Sequence, residues 1–159
     1  DTMLHRIAAL ESSGQTGFLL QEYVPSQVKS VLRVVVIGTR FLSYWRIHKE
    51  ERHENHLPTN LSTGARIDHD HQPDLQERAV RSARSFCRRT GINLAGFDFL
   101  FSEADTKKNP IFLEINYFFG RRGIGGSEAY YAILCQEIES WIDSLPIVNP
   151  KPDKKSAPP

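Results

Sequence analysis

Two carboxylates and an amide in the second half of the chain have the residue types and spacing of a metal-ligand set. Asp98 lies in the apolar segment 94–101, and Glu114 and Asn116 lie in a second apolar segment, 111–116. Because side chains alternate between faces along a β-strand, Glu114 and Asn116 share one face of the second segment. Hard oxygen ligands of this kind suit Mg²⁺, which takes a few protein ligands and completes its coordination with water and phosphate.

The two segments are predicted to form a β-hairpin that brings these residues together. If the hairpin folds about Thr106, Asp98 lies opposite Glu114, and Gly96 lies opposite Asn116. Directly opposed side chains have Cβ atoms roughly 4.5–5.5 Å apart, so the two carboxylates repel each other there. Three arrangements relieve the repulsion: one carboxyl is protonated, the register differs, or a cation binds. Spacing alone leaves all three open, together with a solvent-exposed face that carries acidic residues by chance.

The elements around this hairpin predict an α+β fold: an antiparallel sheet with helices packed on one side. Further strands are predicted at 18–24, 31–37 and 41–47, and helices at 3–10, 73–90 and 127–142. Pro73 suits the first position of a helix, Gly91 suits a helix end, and Ser127 is placed to cap the third helix. That helix is expected to bury Ala129, Ile133, Leu134, Ile138 and Trp141.

Length and composition are those of a globular domain. The chain has 159 residues and a formal net charge of +1, which gives no overall attraction to nucleic acid or to an anionic membrane. It lacks an apolar run of about 20 residues, so no membrane partner and a cytoplasmic location are expected. We expect one domain over 1–145 that is truncated upstream, and a Pro- and Lys-rich disordered tail over 146–159.

A family resemblance follows from these residues. The segment 109–116, Asn-Pro-Ile-Phe-Leu-Glu-Ile-Asn, preceded by Gly96-Phe97-Asp98, resembles the metal-binding end of ATP-grasp proteins. The most similar subgroup is that of the ligases that add glutamate to the C-terminus of a ribosomal protein. The resemblance implies the C-terminal subdomain of that fold. It also implies that Asp98, Glu114 and Asn116 hold Mg²⁺ (or Mn²⁺) ions bridging the phosphates of ATP.

The same resemblance implies roles for earlier residues. Segment 20–24 is similar to the hinge strand whose backbone reads adenine, which makes cofactor-binding candidates of Gln21, Glu22, Tyr23 and Val24. Asn60 matches an amide that precedes a glycine-containing loop, and Arg33 or Arg46 would hold the transferring phosphate or the acid. Two departures from the family pattern are Val31, where relatives often carry an acidic residue, and Pro58, where relatives can carry Arg.

A basic, glycine-rich loop follows the metal strand. Arg121 and Arg122, with the N-terminus of the next helix, could bind an anion such as phosphate or a substrate carboxylate. A solvated surface loop is the alternative. Ahead of it the chain reads Tyr117-Phe118-Phe119-Gly120, where relatives often have a small residue, Pro and Gly, which predicts a different acceptor.

The implied activity is that of a carboxylate–amine (or thiol) ligase. ATP phosphorylates a carboxylate to an acylphosphate, and a nucleophile then displaces phosphate. The expected partners are ATP, small-molecule or peptide carboxylates and amines, and further copies in a homo-oligomer. This chain alone, which has no preceding lobe, is expected to be inactive.

Two other functions stay open. Val31 and Pro58 favour a non-catalytic ATP-grasp-like module for regulation or protein interaction. A third interpretation is an RNA- or partner-binding α+β domain that uses a row of arginines on the central helix. These arginines are Arg78, Arg81, Arg84, Arg88 and Arg89.

Overall fold

A computed structural model describes residues 2–15, 17, 22, 24–25, 30–47, 65–105 and 107–146. In chain order the elements are α1 (Thr2–Ser12), β1 (Ser30–Ile37), β2 (Arg40–Ile47), β3 (Arg66–Asp68), α2 (Pro73–Thr90), β4 (Leu94–Phe101), β5 (Pro110–Asn116) and α3 (Gly126–Asp143). A 3₁₀ helix over Arg122–Ile124 precedes α3. The predicted strand at 18–24 lies largely outside the described residues, and so does the predicted tail beyond residue 146.

The five strands form one antiparallel sheet in the order β3-β2-β1-β4-β5. The predicted α+β class, with helices packed against an antiparallel sheet, is confirmed. The helices were expected on one side of the sheet, but α2 and α3 pack on opposite faces of it. Val34 and Val36 of β1 pack in the core beneath α2, whereas Val35 and Ile37 pack in the core beneath α3. Because β1 carries apolar side chains on both faces, each face requires its own helix.

Helix α2 begins and ends where the sequence predicts. Pro73 occupies its first turn, and Gly91 ends it in the left-handed conformation, with φ of 76° and its N–H bonded to the Cys87 carbonyl. Small side chains at four-residue spacing, Ala79 and Ala83, are fully buried, which lets the helix axis approach the sheet closely. No helix within the described ranges is long and apolar enough to cross a membrane.

Helix α3 differs from its prediction in its N-cap and in the burial of two side chains in its second half. It is capped by Gly125 rather than by Ser127, with the 3₁₀ helix leading into it. Ile133 and Leu134 pack against the sheet as expected, but Ile138 and Trp141 are exposed. The apolar arc of this helix is therefore wider than the face that the sheet covers.

Glu137 fastens α3 to the turn between β1 and β2. Its Oε2 accepts hydrogen bonds from the Thr39 N–H at 2.6 Å and the Thr39 hydroxyl at 2.8 Å. Its Oε1 accepts one from Arg40 Nε at 3.1 Å. These contacts, led by the backbone N–H of Thr39, hold the pKa of Glu137 below its ordinary value.

Replacing Glu137 with glutamine is expected to destabilise the protein in a pH-dependent way. A carboxyl whose pKa is lowered by folding stabilises the fold above its unfolded pKa, about 4.3, and that contribution is lost as the pH falls through the folded value. The unfolding temperature of Glu137→Gln, followed by circular dichroism, should therefore lie below that of the native chain at pH 7 and approach it near pH 3. Glu139→Gln, on an exposed position of the same helix, is the control. A deficit that is as large at pH 3 as at pH 7 would contradict the assignment.

Candidate functional site

Four polar side chains form a row across four neighbouring strands. Tyr44 on β2 pairs with Arg33 on β1, Arg33 pairs with Asp98 on β4, and Asp98 pairs with Glu114 on β5. Strand alternation places Arg33 on the face of β1 that carries Val35, which is the face covered by α3. The sheet thus brings residues from both halves of the chain onto one surface.

The register predicted for the β4–β5 hairpin is confirmed at the row. Asp98 pairs with Glu114, and Gly96 pairs with Asn116. The register shifts immediately afterwards, between Asp98 and Phe99, so that Phe99 pairs with Phe112. Strict alternation along the strand would place Phe112 on the same face as Glu114, but the shift turns Phe112 to the opposite face.

Aromatic packing accounts for the shift. The Phe112 ring contacts three rings in the layer beneath α2, with centroids 6.1–6.3 Å away, and these rings belong to Phe86, Phe97 and Phe99. A β-bulge changes the register between two strands within a few residues. Here it allows the acidic pair to form on one face of the sheet and the aromatic cluster to form on the other.

Asp98 is the centre of a buried ion-pair cluster. Arg33 binds its carboxylate through two hydrogen bonds, Nε to Oδ1 at 2.7 Å and Nη2 to Oδ2 at 2.6 Å. Arg46 Nη2 adds a third, to Oδ2 at 2.7 Å. Asp98 is 0% exposed, Arg46 is 4% and Arg33 is 7%. The predicted phosphate-binding arginines therefore both contact the predicted metal ligand.

The cluster holds two guanidinium groups against one carboxylate, and so carries an excess positive charge. Burial lowers the pKa of Arg46, and the charge of Asp98 does not fully offset it. Burial also acts to lower the pKa of Arg33, but its hydrogen bonds to Asp98 and the charge of that carboxylate outweigh burial and raise it. Burial raises the pKa of Tyr44, against the opposing charges of both arginines. Within the described residues, the buried Arg46 Nε has no hydrogen-bond partner.

Glu114 and Asn116 lie at the exposed end of the row. Asn116 Nδ2 donates to Glu114 Oε1 at 3.0 Å. Among the described residues, no hydrogen bond reaches the other carboxylate oxygen of Glu114 or the amide oxygen of Asn116. Asp98 Oδ1 accepts a single hydrogen bond. Since a carboxylate oxygen has two lone pairs, this atom keeps one lone pair for a further ligand. Three residues on adjacent strands thus offer oxygen atoms that suit a hard cation.

The remaining predicted residues are less closely placed. Among the adenine-reading candidates, Glu22 is exposed and Val24 is half-buried. Gln21, Tyr23 and Asn60 lie outside the described residues.

Arg121 packs onto the start of α3. Its guanidinium carbon lies 4.4 Å from the ring centroid of Tyr130 and 4.8 Å from that of Tyr131. Its Nη1 donates to the Tyr131 hydroxyl at 3.1 Å and to Ser127 Oγ at 3.4 Å. These contacts fix the loop that follows β5.

The arginines of α2 are largely engaged in local contacts. Arg84 stacks over the ring of Phe41 at 4.3 Å, Arg81 pairs with Glu77, and Arg78 donates to the backbone carbonyl of Lys107. In the part of the chain that the structure describes, no group of three or more His, Cys, Asp or Glu residues is arranged to hold a metal. The set of Asp98, Glu114 and Asn116 contains only two residues of those types, because Asn116 is an amide.

No family model matches the chain, and no curated protein does. Among solved structures, it is similar to macrocyclase MdnC from Microcystis aeruginosa MRC, which was bound with the precursor peptide MdnA. The identity is 12%, over 74% of this chain and 34% of MdnC, with a TM-score of 0.45. Macrocyclase MdnB from the same source is 20% identical over 86% of this chain and 41% of MdnB, with a TM-score of 0.36. The chain thus spans less than half of either protein, and these values assign it neither a family nor an activity.

Proposed function

We propose that this domain binds ATP together with Mg²⁺ (or Mn²⁺) and forms the metal-binding half of an ATP-grasp-type carboxylate–amine or carboxylate–thiol ligase. One observation carries the proposal: Glu114 lies directly opposite Asp98, with Asn116 next on the same face. Arg33 and Arg46 neutralise Asp98, but no ion pair among the described residues neutralises Glu114, and the oxygens of Glu114 and Asn116 suit a hard cation. A cytoplasmic location, where ATP and Mg²⁺ are both present, belongs to the same proposal.

Each residue of the row has a proposed role. Glu114 and Asn116 would hold the metal through their free oxygens, and Asp98 would contribute its Oδ1 while it stays bound to the arginines. When bound, the metal would neutralise charge on phosphate oxygens. Arg33 and Arg46 supply the excess positive charge that attracts a phosphate or a substrate carboxylate. Such a site acts by positioning and charge neutralisation.

Equilibrium binding of ADP, with and without Mn²⁺ or Mg²⁺, tests the proposal. The native chain should bind the nucleotide only with metal, and Glu114→Gln and Asn116→Ala should each weaken binding by at least about 10-fold, the low end for losing a group that supports a metal site. Glu103→Gln is the matched control, because Glu103 is an exposed acid in the turn of the same hairpin. Metal-independent binding, or binding that Glu114→Gln leaves unchanged, would contradict the proposal.

A second candidate is a non-catalytic module that keeps this scaffold for regulation or protein interaction. The observation that favours it is that Arg33 and Arg46 both bind Asp98, which engages charged groups that the ligase proposal uses. Val31, at the position where relatives often carry an acidic residue, is buried in β1. The same titration separates the candidates, since a non-catalytic module should show no metal-dependent ADP binding even at millimolar nucleotide.

A further inference from the structure

A small basic cavity lies between α2 and the turn that joins β4 to β5. Its volume is about 260 Å³, and the described residues that line it are Arg78, Arg81, Ser82, Asn109 and Pro110. Two of these side chains carry a positive charge and none carries a negative one. Because α2 covers the face of the sheet opposite to the polar row, the cavity is separate from the candidate metal site.

Three of the lining side chains come from one surface of α2. Residues three and four apart are neighbours on a helix surface, so Arg78, Arg81 and Ser82 present their polar groups to the same space. The buried Ala79 and Ala83 hold another side of the helix against the core. The packing of α2 therefore determines where these donors lie.

Arg78 is fixed by the turn and keeps donors for a ligand. Its Nη1 donates to the carbonyl of Lys107 and to that of Lys108, the latter at 3.5 Å. A guanidinium has five N–H groups, so the Nε–H and both N–H groups of Nη2 have no partner within the described ranges. The contact with the turn places the guanidinium before any ligand binds.

Arg81 and Ser82 add further donors beside it. Arg81 Nη1 donates to Glu77 Oε1 at 3.1 Å, but the two side chains are 65% and 67% exposed. Exposed ion pairs contribute little to stability, so Arg81 can bind a second anion through its other N–H groups at little cost. The Ser82 hydroxyl has no hydrogen-bond partner among the described residues.

The acidic residue closest in sequence to the turn residues of the cavity is engaged elsewhere. Asp105 accepts hydrogen bonds from the backbone N–H groups of Lys107 and Asn109, at 2.8 and 2.9 Å, and from the side-chain amide of Asn109 at 2.9 Å. Its carboxylate therefore stabilises the turn. Arg78 has no acidic partner in the part of the chain that the structure describes.

A phosphate matches this set of donors better than a carboxylate does. One guanidinium is enough to bind a carboxylate through two parallel hydrogen bonds. A phosphate monoester carries about 1.5–2 negative charges and three acceptor oxygens, which suits two guanidinium groups and a hydroxyl. The cavity is smaller than the roughly 300–1,000 Å³ of pockets for drug-sized ligands, so a phosphate on a short carbon chain fits it better than a nucleotide does.

We propose that this cavity binds the phosphate group of a small phosphate ester, or free phosphate, through Arg78, Arg81 and Ser82. The site goes beyond the proposed ligase function and does not depend on it. A bound phosphate would join α2 to the turn between β4 and β5.

Calorimetric titration of the chain with inorganic phosphate, without divalent metal, tests the proposal. The native chain should bind one equivalent, and Arg81→Gln should weaken binding by at least about 10-fold, because hydrogen bonds between charged groups account for a factor of that size. Glu77→Gln removes the acid paired with Arg81 and should strengthen binding about two- to fivefold. Arg81 and Glu77 are exposed, so both variants should keep native circular dichroism.

Arg89→Gln is the matched control, because it removes the same charge from an exposed position of the same helix outside the cavity. Arg89 is seven residues after Ser82, about 10 Å along the helix. This exceeds the screening length of roughly 8 Å at 0.15 M salt. At that salt concentration, Arg89→Gln should leave phosphate binding unchanged.

Nuclear magnetic resonance locates the bound phosphate. The amide signals of Ser82 and Asn109 should shift as phosphate is added, and those of Gly126 and Ser127 at the start of α3 should not. A parallel titration with glycerol 3-phosphate separates the two sources of the ligand. Tighter binding than that of inorganic phosphate identifies an ester, and equal or weaker binding identifies the free ion.

Four results would overturn the proposal. They are the absence of binding up to about 10 mM phosphate, binding that Arg81→Gln leaves unchanged, an equal loss in Arg89→Gln, and signal shifts at the start of α3 in place of those at Ser82. An equal loss in Arg89→Gln would mean that the overall charge of α2 attracts phosphate without a defined site.

Discussion

Replacing Asp98 with asparagine is expected to lower the free energy of unfolding by about 3–5 kcal/mol, the range for removing one partner of a buried ion pair. The side chains of Arg33 and Arg46 are at least nine-tenths buried and donate three hydrogen bonds to the Asp98 carboxylate. An amide of the same shape carries no charge and offers a single acceptor oxygen. Arg33 and Arg46 would then repel each other without an anion between them.

Chemical denaturation measures this effect, and Glu114→Gln is the matched control. It makes the same chemical change at the paired position of the next strand, where the side chain is exposed. Its expected cost is within about 0.5 kcal/mol. A loss of less than about 1 kcal/mol in Asp98→Asn would show that the cluster is not the buried ion pair described above.

A combined replacement separates the charge effect from packing. Arg33→Met, Arg46→Met and Asp98→Leu together remove every charge of the cluster, and such replacements are often neutral or stabilising where single deletions are costly. The triple variant should therefore be more stable than Asp98→Asn. The comparison also bears on function: because Asp98→Asn is expected to destabilise the fold, a loss of nucleotide binding in that variant is ambiguous. Glu114→Gln is the sharper probe of metal binding.

Local rules in the sequence were enough to predict much of this site. The position of the polar turn between β4 and β5 determined that Glu114 pairs with Asp98, because an antiparallel register follows from the turn once its centre is known. Pro73 and Gly91 determined the bounds of α2 in the same local way. The pairing of Glu114 with Asp98 and the bounds of α2 could therefore be derived without knowing the rest of the fold.

Pairings between distant segments could not be derived in this way. The neighbour of Asp98 on its other side is Arg33, 65 residues earlier, and no turn connects β1 to β4 directly. Without that pairing, the arginines were predicted as phosphate ligands and Asp98 as a metal ligand only. The one usable signal was the β1–β2 hairpin, which places Arg33 and Arg46 on the same face of the sheet.

The buried face of α3 and the bulge between β4 and β5 could not be predicted from the sequence either, because both depend on contacts between distant segments. Apolar periodicity identifies which residues of α3 are candidates for burial, but not which part of a wide apolar arc the sheet covers. Ile138 and Trp141 belong to that arc and are exposed. The register shift after Asp98 depends on where Phe112 finds aromatic neighbours, one of which, Phe86, comes from α2.

Gly123→Ala is expected to lower the free energy of unfolding by about 1–3 kcal/mol, the usual cost of overpacking a core. Gly123 lies in the 3₁₀ helix after β5, directly against the ring of Tyr44. A Cβ atom there would be 2.2 Å from Tyr44 Cζ and 2.4 Å from Cε2. Tyr44 is 0% exposed, so its ring cannot swing into solvent to relieve the clash.

The control for this substitution is Gly120→Ala, in the same loop. A Cβ at Gly120 meets no atom within 4 Å among the described residues, so its stability in a denaturant titration should stay within about 0.5 kcal/mol of the native value. Equal effects of the two substitutions would contradict the packing argument. Tyr44→Leu shortens the facing side chain, and in a double-mutant cycle it should recover part of the Gly123→Ala loss, with a coupling of at least about 0.5 kcal/mol.

The Gly123 contact also links the loop after β5 to the polar row. Tyr44 lies next to Arg33 across the β1–β2 pair, and Arg33 in turn orients Asp98. A ring displaced by the new methyl group would disturb the position of that guanidinium and of the carboxylate beside Glu114. We therefore expect Gly123→Ala to weaken metal-dependent ADP binding although Gly123 has no side chain to bind either ligand, and we expect Gly120→Ala to leave that binding unchanged.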